Sequence, residues 1–244
     1  MARIFVGCSG FSYKDWKGTF YPGDIPGRKW LVYYSGVFPT VEVNVTFYRL
    51  PKVETFAKWY DETPPDFSFS LKGSRLITHL KRLKDVEGLV EEFFVRAFSL
   101  KEKLTAVLWQ FPSSYTVDKG RLEKFLSILD KYPVWNALEF RSETWLNKDI
   151  EKICRGRGVA LCMADWPDFL DEVPVTAGFV YLRRHGLQGS YTTSYNREYI
   201  EKDARRIQQY LNNGLDVFIY YNNDSQGYAP ANARELMEIL QKDR

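Results

Sequence analysis

Three short runs of the chain place polar or charged side chains two residues apart. Val41-Glu42-Val43-Asn44-Val45-Thr46 alternates valine with polar side chains, Glu139 and Arg141 flank Phe140, and Arg183 and His185 flank Arg184. In an extended backbone successive side chains point to opposite faces, so residues two apart share one face. Carboxylates at Glu42, Glu139 and Asp165, together with His185, could act as general acid and base if their surroundings split their pKa values. Lys72, Arg141, Arg183 and His185 could hold a phosphate or carboxylate, the arginines through paired hydrogen bonds. Such a mixture suits a small anionic or sugar-like substrate.

Two other readings compete with acid–base chemistry. Glu139 could pair with Arg141, and Asp165 with Arg183, as plain structural ion pairs, which would leave a noncatalytic binding protein. A divalent ion could draw on Glu42, Glu139, Asp165, His185 and Asp224, as in a metal-dependent phosphoesterase or nuclease. Only two histidines are present, His79 and His185, and no His-x-x-x-His spacing joins them. The expectation is therefore no metal and no other cofactor.

These groups must be positioned by strands. Runs such as Ile4–Cys8, the alternating stretch from Val41 up to Pro51, Phe67–Lys72, Ala106–Phe111, Asn136–Arg141, Val159–Asp165, Gly178–Arg183 and Val217–Tyr221 are apolar or alternate with period two. Between them lie helical patterns, among them 29–37, 86–103, 148–157, 198–212 and 232–241, with Asp118 a candidate cap and Gly214 a stop. Eight strands alternating with about seven helices predict a single α/β domain over 1–244, a TIM-type (β/α)₈ barrel. Too few residues separate the sixth and seventh strands for a full crossover, so that helix is expected to be short or missing. No Gly-x-Gly-x-x-Gly sits at the first strand turn, which disfavours an open dinucleotide-binding sheet. In a barrel the C-terminal strand ends build the site. Here those ends carry Ser9, Glu42 with Asn44 and Thr46, Lys72, Gln110, Glu139 with Arg141, Asp165, Arg183 with His185, and Asn222 with Asp224.

Composition narrows the partners. The chain has 34 Lys and Arg against 31 Asp and Glu, a net charge of +3, far from the balance of a dedicated nucleic-acid binder. Its three cysteines, Cys8, Cys154 and Cys162, are too few and scattered for a disulfide framework, which fits a reducing cytoplasm. No stretch approaches the ~20 apolar residues that cross a bilayer, so no membrane partner is expected. Aromatics in loops and at strand ends, including Phe11, Tyr13, Trp16, Tyr48, Tyr191 and Tyr195, either stack on a sugar or base or pack as satellite core. The turn from Asn222 to Gly227 either receives a phosphate on its backbone donors or is a simple capped turn.

The segments Gly7-Cys8-Ser9-Gly10-Phe11-Ser12-Tyr13 with Trp16, Val41–Asn44 with Thr46-Phe47-Tyr48, Lys72 with Thr78-His79, Leu108–Pro112, Glu139-Phe140-Arg141, Asp165, Tyr181 with Arg183 and His185-Gly186, and Asn222-Asn223-Asp224 occur in this order. In these segments the chain resembles the uncharacterised YecE-like family, number 72 among the domains of unknown function. The resemblance implies a TIM-type barrel with these residues around its mouth, and no established activity. The expected catalytic set is Glu42, Glu139, Asp165 and His185. The expected substrate contacts are Ser9, Tyr13, Trp16, Asn44, Lys72, His79, Gln110, Arg141, Arg183, Asn222, Asn223 and Asp224.

Overall fold

Strands form where β-branched and aromatic residues dominate, because such side chains pack well on a pleated, buried surface. The computed structural model describes residues 2–242. Its strands are β1 (Ile4–Ser9), β2 (Thr40–Val43), β3 (Ser68–Lys72), β4 (Leu104–Phe111), β5 (Trp135–Phe140), β6 (Ala160–Leu161), β7 (Met163–Ala164), β8 (Phe179–Arg184) and β9 (Asp216–Tyr221). All pairings are parallel, in the order β6-β5-β4-β3-β2-β1-β9-β8-β7. β6 and β7 are two halves of the expected sixth strand, parted at Cys162. β6 pairs with β5 and β7 with β8, so one interrupted strand joins the two edges and nearly closes the barrel.

Parallel strands require crossovers, supplied by α1 (Trp30–Ser35), α2 (Val45–Tyr48), α3 (Val53–Asp61), α4 (Glu87–Ala97), α5 (Lys119–Leu129), α6 (Lys148–Gly156) and α7 (Arg197–Asn212), while α8 (Tyr228–Lys242) follows the last strand and packs back against β1 and β9. Asp118, Asn147 and Asn196 cap α5, α6 and α7 by accepting from backbone N–H groups of the first turn. After α7 the chain turns at Gly214, whose φ of +77° suits glycine. Between β7 and β8 only a single 3₁₀ turn, Asp168–Leu170, stands in for a helix, as the short spacing predicts.

Two expectations change. The second strand does not run on toward Pro51: it ends at Val43, and Asn44 enters the helical region at φ −86°, ψ −21°. Thr46 causes this locally, since its hydroxyl donates to Val43 O at 2.9 Å and to Lys72 O at 2.7 Å, tying the turn to the end of β3. The helix expected to continue to Lys103 stops at Ala97. It passes into 3₁₀ turns with Lys101 at φ +49°, and Lys103 Nζ then donates back to Tyr60 O at 2.6 Å and Thr63 O at 2.8 Å.

Strand parity divides the core in two. Outward residues such as Val41, Phe69, Val107, Trp109 and Ile219 pack beneath the helices in one large cluster. Inward residues Phe5, Ala106, Leu108, Ala137, Ala160, Phe179, Tyr181, Phe218 and Tyr220 fill the barrel. Phe5 stacks on Phe218 at 4.5 Å and Trp135 on Phe179 at 4.8 Å, so the N-terminal end of the tube is plugged by rings. Above them the Tyr220 hydroxyl bonds Thr40 Oγ1 at 2.8 Å and Ser70 Oγ at 2.7 Å, the first polar layer. A floor of this kind leaves the C-terminal end as the place where charged side chains gather and meet solvent.

Candidate active site

The central member of the mouth is Arg183, inward-facing near the end of β8 and fully buried. Its Nε donates to Glu42 Oε1 and Oε2, both at 3.1 Å, and its Nη2 to Glu42 Oε1 at 2.9 Å and Ser9 Oγ at 3.1 Å. Its Nη1 donates to Glu139 Oε2 at 2.7 Å and His185 Nε2 at 2.8 Å. Every nitrogen of the guanidinium is thus engaged by the protein. Glu42 is satisfied in turn by Ser9 Oγ and by the Tyr181 hydroxyl at 2.7 Å, and Glu139 by Arg141 Nε at 2.8 Å.

The charges of this cluster are mutually locked. Burial alone would raise the carboxyl pKa values of Glu42 and Glu139, but Arg183 holds both below the ordinary range. Burial would weaken the Arg183 cation, and the two carboxylates more than compensate. An ion of several partners in a dry site is tolerable only when each lone pair and proton is satisfied, as here.

His185 is held as a neutral ring. Asp165 Oδ1 accepts from the His185 backbone N–H at 2.8 Å and faces Nδ1 at 3.1 Å, while Nε2 faces the guanidinium donors of Arg183 and, at 3.3 Å, Arg141. With donors opposite Nε2 the proton belongs on Nδ1. Burial and the adjacent Arg183 both depress its pKa, in agreement with that tautomer. The other Asp165 oxygen accepts from the Tyr195 hydroxyl, which also accepts from Gly186 N at 2.6 Å, fixing the loop after β8. The alternative pairing of Asp165 with Arg183 is not the one found: Asp165 pairs with His185, and Arg183 with the two glutamates.

Two ionisable groups at the mouth keep open valences. Lys72, at the end of β3, has no hydrogen bond or ion pair from Nζ among the described residues, and its ammonium lies 4.5 Å from the centre of the Phe47 ring. Burial, reinforced by Arg183, pulls its pKa down to about 8. Asp224, just beyond β9, has an Oδ1 that is buried without a partner. Burial pushes its carboxyl up to about 7, against the opposing pull of the adjacent Tyr13 hydroxyl and Arg183. With its amide nitrogen turned toward Asp224, Asn222 donates to Asp224 Oδ2 at 3.3 Å and accepts from Arg183 Nη2 at 3.3 Å.

The remaining expected residues separate into two groups. Gln110 lies inside the barrel in register with Glu139, and Asn44 Nδ2 donates to Ser9 O at 3.1 Å and Ser9 Oγ at 3.0 Å. His79 sits on the single π-helical turn Leu76–Leu80, its ring 4.9 Å from that of Phe47, with burial and the charges of Lys72, Arg75 and Arg141 taking its pKa down to about 4. Trp16 is instead wholly enclosed, with its indole N–H donating to Asp224 O at 2.7 Å, so it anchors the loop after β9. Asn223 points the other way, donating to Thr193 O and Asn232 Oδ1 at 2.9 Å each. Sequence reasoning missed Tyr181 as a Glu42 partner, although its spacing of two from Arg183 was the available signal. Phe47, placed beside Lys72 by the Thr46 turn, entered the sequence reading only as part of the family segment Thr46-Phe47-Tyr48. No group of three or more His, Cys, Asp and Glu with a metal-binding arrangement occurs among the described residues. Among the described residues no helix is long and apolar enough to cross a membrane.

Comparison with known proteins agrees with this architecture. The UPF0759 protein YunF of Bacillus subtilis (strain 168) is 25% identical over 269 residues, covering 97% of this chain and 94% of that one. The UPF0759 protein YecE of Escherichia coli (strain K12) is 30% identical over 112 residues, 46% of this chain and 39% of its own length. A crystal structure of a DUF72 family protein from Thermotoga maritima superimposes with a TM-score of 0.84 at 29% identity, covering 98% of this chain and 99% of that one. A D-psicose 3-epimerase, at 10% identity, a TM-score of 0.55 and coverage of 99% and 97%, shares the barrel fold alone. The family model described as "Protein of unknown function DUF72" matches residues 5–244, and the chain therefore belongs to the DUF72 family.

Proposed function

We propose that the barrel mouth is an enzyme active site that binds a small anionic or sugar-like molecule and moves a proton on it, with Asp224 as the proton-carrying group and Lys72 as the anion-holding one. The observation that carries this reading is the contrast in valence. Glu42, Glu139, Arg183 and His185 have their polar atoms occupied by one another and by their neighbours, whereas, among the described residues, Lys72 Nζ has no hydrogen bond or ion pair and Asp224 Oδ1 is buried without a partner. A carboxylate free of a basic partner is what a noncatalytic ion-pair network would lack.

In this scheme the locked cluster is a scaffold. Arg183 and the two glutamates stay ionised, hold their geometry and keep a fixed field across the mouth. An anionic group of the substrate would approach Lys72 and the exposed edge of Arg141, whose Nη2 is engaged only at 3.3 Å and 3.4 Å. Asp224, titrating near 7, would take a proton from the substrate or give one, since general acid–base catalysis is most effective when the catalytic pKa lies near the working pH. Ionised Asp224 with protonated Lys72 gives a bell-shaped rate profile whose limbs fall near 7 and 8. Neutral His185 would act as an acceptor that orients Arg141 and Arg183.

The test couples binding to proton exchange. Isothermal titration with inorganic phosphate and a panel of sugar phosphates and hydroxy acids identifies a ligand, and solvent-deuterium incorporation or turnover of that ligand is followed by NMR. The expected result is loss of phosphate binding in Lys72→Met and loss of exchange, with binding kept, in Asp224→Asn. Unchanged turnover in Asp224→Asn, or unchanged phosphate affinity in Lys72→Met, would overturn the assignment.

A further inference from the structure

Beside the charged mouth the loops after β1 and β2 enclose a cleft of about 450 Å³, walled by Phe11, Tyr13, Val43, Val45, Tyr48 and Trp59, with no charged residue in its lining. We propose that this cleft receives a flat, uncharged ring of one or two cycles carried by the same molecule whose anionic head sits at Lys72 and Arg141, so that the ligand is an aryl-bearing anion. The proposal rests on the reading of the mouth given above and narrows its substrate class.

Three observations lead there. First, two residues of the cleft wall are hydrogen-bonded to the charged cluster. The ring of Tyr13 lines the cleft while its hydroxyl donates to Ser9 O at 2.6 Å and lies beside Asp224. Asn44, also in the lining, bonds the same Ser9 that supports Glu42. Second, two of its aromatic walls are held by packing: Tyr13 packs on buried Trp16 at 4.8 Å and Phe11 meets Trp59 edge-on at 6.1 Å. Third, Tyr48 is 70% exposed and Val45 47% exposed on the short α2 turn, so apolar surface stands bare at the rim of a polar site. Isolated exposed apolar residues are ordinary, but an apolar cleft bordered by convergent polar groups is the usual form of a small-molecule site.

The chemistry of the lining selects the occupant. A polyhydroxylated arm would press hydroxyls against Phe11, Val43, Val45 and Trp59, and each hydroxyl buried without a partner is costly. A ring loses nothing there and gains stacking against Tyr and Trp faces. A protein partner is too large for the feature, since stable interfaces cover about 800 Å² on each side while this cleft has the volume of a small-molecule pocket.

The experiment compares 2-naphthyl phosphate, inorganic phosphate, glucose 6-phosphate and 2-naphthol by isothermal titration against the full chain at pH 7. The expected result is that 2-naphthyl phosphate binds at least tenfold more tightly than phosphate or glucose 6-phosphate. Tyr48→Ala and Val45→Asp, both at exposed positions and therefore benign to folding, should reduce that advantage to less than twofold and leave phosphate affinity unchanged. Equal affinities for 2-naphthyl phosphate and phosphate, or an advantage insensitive to both substitutions, would overturn the cleft assignment while phosphate binding lost in Lys72→Met still supports the mouth. Binding of 2-naphthol that is weakened by Tyr48→Ala, with no binding of phosphate, would support the cleft and refute the anionic mouth.

Discussion

Arg183 and Arg184 are neighbours on one strand, equally buried, and their surroundings differ in kind. Arg184 faces outward under the helices, where its Nε and Nη2 bind Asp203 of α7 at 2.7 Å and 2.5 Å as a two-pronged pair, with Asp171 3.6 Å from Nη1. That assembly closes on itself and ties strand to helix. Arg183 faces inward, where its cluster is also closed around Glu42 and Glu139, but the groups at its margin, Lys72 and Asp224, are left unmatched. Charge burial alone therefore does not mark a site; unmatched valence at the edge of a satisfied network does, because an uncompensated buried charge is costly unless something else completes it.

That comparison can be attacked at both ends. The largest effects should come from cutting either closed network. Asp203→Ala outside and Glu42→Ala inside should each destabilise the fold by about 3–5 kcal/mol, lowering Tm by roughly 10 °C, because each removes the carboxylate that makes most of the hydrogen bonds to a buried guanidinium. A much milder result for Glu42 in a thermal melt would mean that the inner cluster is not the scaffold assumed here. Next, Lys72→Met should weaken phosphate binding by about 10- to 100-fold, as loss of a charge-assisted contact implies. The same variant should be no less stable at pH 7. A lysine whose pKa falls to about 8 on folding opposes the fold below that pH, and the opposition fades as pH climbs toward the unfolded value.

Asp224→Asn should act on stability in the opposite pH direction. Its carboxyl titrates near 7 in the fold but near 3.8 when unfolded, so ionisation favours the unfolded chain. The variant's gain in denaturant-measured stability should be absent below about pH 4, grow with pH, and level off above about 7. A gain independent of pH would refute the elevated carboxyl. The smallest effect is expected from replacing the outer pair together: Arg184→Met with Asp203→Leu should change stability by only about 1 kcal/mol and leave phosphate affinity intact, since a closed ion pair is exchangeable for apolar packing. Loss of binding in that double variant would show that the two networks are coupled through β8.

Much of this arrangement was legible in the residues themselves. Strand period, the crossover helices and the truncated connection after the sixth strand all follow from local patterns, as does the shared face of Glu139 with Arg141 and of Arg183 with His185. The end of β2 was less visible, because valine favours strands while the Thr46 hydroxyl bond that turns the chain spans two elements. Likewise nothing local distinguishes Asn222, which faces the mouth, from Asn223, which latches the far loop, until the exit from β9 is fixed.

The sequence by itself determined where the strands lie, apart from the split of the sixth into β6 and β7, and which residues could face inward together, because backbone periodicity is a local property. Only the tertiary structure decided who pairs with whom: that Arg183 belongs to Glu42 and Glu139 rather than to Asp165, and that, among the described residues, Asp224 Oδ1 is buried without a partner and Lys72 forms no ion pair. Pairing and desolvation are set by distances between strands far apart in the chain, and those distances exist only once the barrel closes.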